Sequence, residues 1–236
     1  MRNVIAIDGP SGSGKTTVAK LIAEDIGYHY LDTGALYRAV AFALRKNRVD
    51  ADDSDERISE VLGQNTIMFQ DGRVFLNGAD ISEPIRSTEI DHYSSVFSAR
   101  KIVRDFLIGL QRDAARHNDL VAEGRDTTTV VFPGAQTKIF LSASVEERAK
   151  RRCLQYREKG ITISMDEAKK SIIDRDARDA GRNIAPLTVS PDALVIDSSI
   201  LSIEQVKEEI LDHLKKSSPD SLLPAYDRRT IRINSP

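Results

Sequence analysis

The chain has 236 residues, 40% hydrophobic and 30% charged, with a formal net charge of -2. That length is enough for one globular domain with a sizeable core, and the charge balance gives no general reason to bind nucleic acid. The single cysteine, Cys153, excludes an intrachain disulfide and suits a reducing compartment, and no apolar run is long enough to span a bilayer.

Val4-Ile5-Ala6-Ile7 is a short apolar run rich in β-branched residues, which predicts a buried strand. It starts almost at the N-terminus, so no signal peptide and a cytoplasmic location are expected. Gly9, four residues, Gly14, Lys15 and Thr16 follow, matching the phosphate-binding loop in every fixed position. Glycines without Cβ atoms let the backbone wrap phosphate oxygens and aim successive N–H groups at them. The candidate ATP-binding residues are Gly9, Pro10, Ser11, Gly12, Ser13, Gly14, Lys15, Thr16 and Thr17. A helix beginning at about Lys15 adds its positive end, Lys15 would reach the β- and γ-phosphates, and Thr16 would ligate Mg²⁺.

Gly27 stops the first helix, and Tyr28 to Leu31 reads as a second strand. Thr33 is placed to cap a helix running to about Arg45, and a shorter helix ends near Gly63. Thr66 to Gln70 and Val74 to Leu76 flank Asp71-Gly72 as a hairpin, with another turn at Asn77-Gly78. Ser87 to about His117 is mostly helical, with an irregular stripe around Ala99-Arg100-Lys101.

Leu120 to Glu123 and Lys138 to Leu141 are further strands, and Ala193 to Asp197 is the last. Ser144 and Ser164 each open a charged helix with a capping-box pattern, and Ser202 caps a final helix ending near Leu214. Strands alternating with helices predict an α/β fold with a parallel sheet. The segment 215–236 has no periodicity and reads as a disordered tail.

Arg175, Arg178 and Arg182 stand at i, i+3 and i+7, which on one helix is a single face. Such a face is either solvated, held by Asp174–Arg178 and Arg175–Asp179 pairs, or a lid that neutralises charge during phosphoryl transfer. The absence of an Asn-Lys-x-Asp segment counts against a GTPase.

The segments 8–15, 31–38, Gly124-Arg125-Asp126, 129–133 and 175–187 occur in an order that resembles bacterial cytidylate kinase, over roughly 3–214. That resemblance implies a P-loop NTPase-type three-layer α/β fold with a five-stranded parallel sheet. It places a nucleoside-monophosphate-binding insert at about 63–117, between core segments 1–62 and 118–214, and a helical lid at about 151–183. It implies Mg²⁺-dependent transfer of the γ-phosphoryl of ATP to CMP or dCMP by a monomer.

By resemblance Arg38, Arg125 and Arg182 contact the acceptor phosphate, while Ser95, Arg104 and Asp126 contact cytosine. Thr33, Arg175 and Asp179 contact the ribose, and Arg151 and Arg178 face the transferred phosphates beside the catalytic Lys15. Three departures stand out. Thr127-Thr128 replaces an apolar residue and a glycine, where a glycine at positive φ would leave a β-branched residue strained. No proline precedes Val103-Arg104, and Glu123 replaces Asp at the end of the third strand. The rival readings are a kinase for another monophosphate or small metabolite, and a nucleotide-binding regulator without turnover.

Overall fold

The computed structural model describes residues 2–70 and 72–217. The opening apolar run forms β1 (Val4–Asp8), buried along its whole length. Helix α1 (Lys15–Ile26) starts where Gly14 takes φ 96° and ends on Gly27 at φ 71°, both left-handed conformations that favour glycine. β2 (His29–Asp32) leads into α2 (Thr33–Lys46).

The expected cap, Thr33, is not the cap. Asp32 accepts a hydrogen bond from the Ala35 amide at 2.8 Å, and Thr33 Oγ1 instead donates to the Glu123 backbone carbonyl at 2.7 Å. A carboxylate one residue earlier reaches the free amides of the first turn and outcompetes the hydroxyl.

After α3 (Asp55–Gly63), β3 (Ile67–Gln70), β4 (Arg73–Leu76) and β5 (Ala79–Asp80) form a small antiparallel sheet. Asn77 and Gly78 both take positive φ between β4 and β5, the conformation of a tight hairpin turn. Ile67, Phe69, Val74 and Leu76 point one way and join the core beside α2, which supplies the support that a short hairpin lacks on its own. The long helical stretch is two helices, α4 (Thr88–Phe97) and α5 (Lys101–His117). The break falls at 98–100, where Arg100 is extended and reaches back to Asp53 and Asp55.

β6 (Leu120–Gly124), β7 (Thr137–Ser142) and β8 (Leu194–Asp197) complete a five-stranded parallel sheet in the order β2-β6-β1-β7-β8. Helices α6 (Val145–Glu158), α7 (Met165–Ala180) and α8 (Ile203–Ser217) lie between and after these strands. Val4, Leu120 and Ala122 face the α2 and α5 side, while Ile5, Ile7 and Val121 face α1 and α8. Burial on both faces explains why these strands read as continuous apolar runs.

β1 neighbours both β6 and β7, so the chain switches direction across the sheet at the carboxyl end of β1, where a crevice opens in folds of this kind. Helices α6 and α7 share a separate, small cluster of Ala149, Ala168 and Ile172. Ser164 and Glu167 form a complete capping box, whereas at α6 only the Ser144 half forms, because Glu147 turns to Arg151 at 3.3 Å. Residues 215–217, expected in the tail, continue α8, with Lys215 paired to Asp212 at 3.0 Å. The rest of that tail lies outside the described residues.

Candidate active site

The phosphate loop packs tightly against its surroundings. A Cβ on Gly9 would lie 2.0 Å from the Leu141 carbonyl oxygen, and one on Gly12 would lie 3.2 Å from Arg148 Cβ. Lys15 is buried; its Nζ donates to the Pro10 carbonyl at 2.8 Å and lies 3.4 Å from Ser13 Oγ. Burial, with the positive charge of Arg125 nearby, pushes Lys15 down to about 7. Thr16 Oγ1 donates to Glu123 Oε1 at 2.5 Å, and the Tyr30 hydroxyl lies 3.2 Å from the same oxygen. Burial and the charge of Asp32 push Glu123 up.

Behind Asp126, which lines the crevice, Arg104 is only 1% exposed. It bonds Asp126 with one terminal nitrogen and the Ser98 carbonyl with the other at 3.2 Å, with its guanidinium 5.6 Å from the Tyr37 ring centre. Burial outweighs Arg104 at Asp126 and, with Asp8 nearby, pushes that carboxyl up to about 6. No proline is needed to present Arg104, because α5 simply starts from extended Arg100.

Four arginines converge on two carboxylates. Arg125 Nε donates to Asp179 at 3.0 Å, and Arg182 bonds the other oxygen of that group. Arg175 donates to both oxygens of Asp91 at 2.6 and 2.7 Å, and Arg152 reaches Asp91 at 3.3 Å. Burial opposes ionisation of Asp91 and Asp179, yet these arginines hold both carboxyls below the usual range, Asp91 at about 2. Arg38 pairs with Asp32 at 3.2 Å, and Arg151 donates to the carbonyls of Ser13 and Ser198 at 3.3 and 2.7 Å.

The expected single arginine face does not form. α7 ends at Ala180, so Arg182 lies beyond the helix. The chain then folds back, with Ala185 at φ 50° and the Leu187 amide on the Asp179 carbonyl at 2.8 Å. Arg178 is exposed, and its Nε donates to Ser95 Oγ at 3.1 Å, across to α4 instead of along its own helix. Arg175 lies 3.9 Å from Asp179 and binds Asp91 more closely.

A cleft of about 900 Å³ is lined by 11–17 of the phosphate loop and by Thr33, Arg38, Ser95, Arg125, Asp126, Arg151, Arg175, Asp179 and Arg182. Gly9 and Pro10 shape the loop from behind, and Arg104 backs Asp126. Sequence reasoning missed Asp91, Arg152 and Arg148. Buried Arg148 ties the Ser11 carbonyl (3.2 Å) to Asp176 of α7 (2.6 Å). Arg152 adjoins the anticipated Arg151, which was a usable hint; Asp91 had none, because its partners are 61 and 84 positions away.

The strain expected at Thr127-Thr128 is absent, since neither residue has positive φ. Residues 126–132 form one wide turn, with the Val131 amide on the Asp126 carbonyl (3.1 Å) and the Phe132 amide on the Thr127 carbonyl (2.8 Å).

A phosphate loop at the switch point of a parallel sheet, faced by arginines across a cleft, defines a P-loop nucleotide-binding protein of the kinase type. The family model for cytidylate kinase matches residues 5–216. Cytidylate kinase of Thermodesulfovibrio yellowstonii is 48% identical over 225 residues, covering 94% of this chain and all of that one. Its counterpart in Thermosipho melanesiensis is 49% identical over 212 residues, covering 90% and 96%. The chain belongs to the cytidylate kinase family. A solved structure of an uncharacterized protein from Eubacterium ventriosum shares the fold, with a TM-score of 0.52 at 14% identity over 91% of this chain and 99% of that one. No helix among the described residues is long and apolar enough to cross a membrane.

Proposed function

We propose that this protein transfers the γ-phosphoryl group of ATP to CMP or dCMP, giving ADP and CDP or dCDP. The observation that carries this reading is the buried Arg104–Asp126 pair, whose carboxylate lines the same cleft as Lys15. Cytosine offers an amino donor at C4 and acceptors at N3 and O2. Asp126 can accept from the amino group while Arg104 and the Ser95 hydroxyl donate to the ring. Uracil would set a C4 carbonyl against the Asp126 carboxylate, an unpaired and repulsive contact.

Arg38, Arg125 and Arg182 would take the acceptor phosphate. Arg125 and Arg182 now spend their donors on Asp179, and a phosphate offers them stronger acceptors. Their release would leave Asp179 free to receive a ribose hydroxyl beside Thr33 and Arg175. Arg151, above the loop at Ser13, and Arg178, beside Ser95, would close on the transferring group. Lys15 follows that group and stabilises its charge, so direct in-line transfer needs no covalent intermediate.

Among the described residues no cluster of three His, Cys, Asp or Glu could hold a metal. The hard oxygens of Thr16 and Glu123 nevertheless fit Mg²⁺ bound largely through nucleotide and water, where it would neutralise charge on the β- and γ-phosphates. We read residues 63–117 as the monophosphate-binding insert, about 151–183 as the lid, and the molecule as a cytoplasmic monomer acting on small molecules. ADP release from ATP and Mg²⁺ with CMP, dCMP, UMP or AMP tests the reading. CMP and dCMP should lead; equal release with AMP would overturn it.

A further inference from the structure

The paired threonines that depart from the family pattern converge on one group. Asp8, the last residue of β1, is fully buried and sits immediately before the phosphate loop. Its Oδ1 accepts from the Thr127 amide at 2.9 Å and from the Thr127 hydroxyl. Its Oδ2 accepts from the Thr128 amide at 2.7 Å and the Thr128 hydroxyl at 2.6 Å. Two consecutive residues, some 120 positions away in sequence, thus supply four donors to a single carboxylate. A buried charge of this kind is tolerated only when its oxygens are met, so the four bonds act as a unit.

The direction of the chain gives the cluster its significance. Thr127 directly follows Asp126, so the bonds that anchor Thr127 also set where Asp126 is presented to Arg104. The methyl group of Thr127 packs close to Gly124, where a Cβ would lie 3.2 Å from it. The backbone amides alone would leave half of the donors to Asp8 missing.

We propose that the Thr127 and Thr128 hydroxyls are positioning groups for base selection, locking the Asp126 turn to the start of the phosphate loop through Asp8. The proposal rests on the reading of Asp126 as the cytosine contact. Both threonines are buried, and neither is among the residues that line the cleft. Each acts by fixing the carboxylate that does, and a group held about 1 Å looser loses much of its selectivity.

The test measures kcat and KM for CMP and for UMP, with melting temperature, in wild type and in Thr127→Val, Thr128→Val, Thr127→Ser and Thr128→Ser. Valine keeps the shape and removes the donor; serine keeps the donor. The valine variants should lower the CMP-over-UMP ratio of kcat/KM roughly 10-fold, chiefly through KM for CMP, and the serine variants should stay within about 3-fold of wild type. Thr127→Ala and Thr128→Ala remove the donor without placing a γ carbon against the carboxylate, and they decide the matter if a valine variant does not fold. Variants that melt earlier yet keep the wild-type ratio would overturn the proposal. A wild-type enzyme that does not prefer CMP would instead overturn the reading of Asp126, and the two failures are therefore distinct.

Discussion

Arg175 of α7 grips both carboxylate oxygens of Asp91 on α4, at 2.6 and 2.7 Å. This pair ties the helices read as the lid to the segment read as the monophosphate-binding insert. The other ties from α6 and α7 to the body are polar as well, Arg148 to the Ser11 carbonyl, Arg151 to those of Ser13 and Ser198, and Arg178 to Ser95. The apolar cluster of Ala149, Ala168 and Ile172 lies between the two helices themselves. Their attachment to the body is made mainly of charged and polar contacts, and charge pairs can be exchanged for substrate phosphates.

The pair predicts a pH-dependent stability. Asp91 sits at about 2 in the folded protein, below its ordinary value of 3.8. The stabilisation is therefore complete above about pH 4 and is lost as pH falls toward 2. Asp91→Asn should cost on the order of 2 kcal/mol at neutral pH, with the gap to wild type closing in acid. Thermal melts between pH 7 and pH 3 measure this, and a gap that does not change with pH would exclude the ion pair as its cause.

Lys15 carries the opposite tension. A buried ammonium pushed down to about 7 is only partly charged at pH 8 in the free enzyme, and triphosphate binding would restore the charge. ATP binding at pH 8 should therefore take up protons, read by calorimetry in buffers of different ionisation enthalpy. Lys15→Met should lose kcat by about 10³-fold or more without lowering the melting temperature, since it removes a buried cation. A variant that melts much earlier would show that Lys15 stabilises the fold and does not store strain for catalysis.

Arg178 separates a solvated helix face from a working lid. It is exposed, and its bond to Ser95 is of the kind worth about 1 kcal/mol or less to stability. Arg178→Ala should leave the melting temperature nearly unchanged while kcat falls roughly 10³-fold, as for an arginine that meets transition-state charge. Turnover close to wild type would return Arg178 to the solvated surface.

The phosphate loop, the parallel strands and the hairpin were legible because each is written locally, in glycine spacing, buried apolar runs and turn residues. The cap at α2 was misread by one residue, since Asp32 and Thr33 are both cap formers and only the tertiary contact of Thr33 with β6 separates them. The arginine face failed for a similar reason. Period alone extends a helix from Arg175 to Arg182, but the fold-back that brings the Leu187 amide to the Asp179 carbonyl ends it at Ala180. Thr127-Thr128 looked like a defect from sequence because its partner, Asp8, is brought near only by the pairing of β1 with β6. Asp91 and Arg148 act through partners in other elements, and no local pattern announces such residues.

The central claim is that the buried Arg104–Asp126 pair reads cytosine in the cleft that also holds Lys15. The ratio of kcat/KM for CMP over UMP, followed from pH 8 to pH 5.5 in wild type and in Asp126→Ala, tests it most directly. The carboxyl of Asp126 stands at about 6, so below that pH it holds a proton and no longer accepts from the C4 amino group as a carboxylate. The account predicts a ratio that falls in wild type as pH drops through about 6, and a ratio roughly 10-fold lower and flat with pH in Asp126→Ala. An Asp126→Ala enzyme that keeps the wild-type preference for CMP at pH 8 would contradict it.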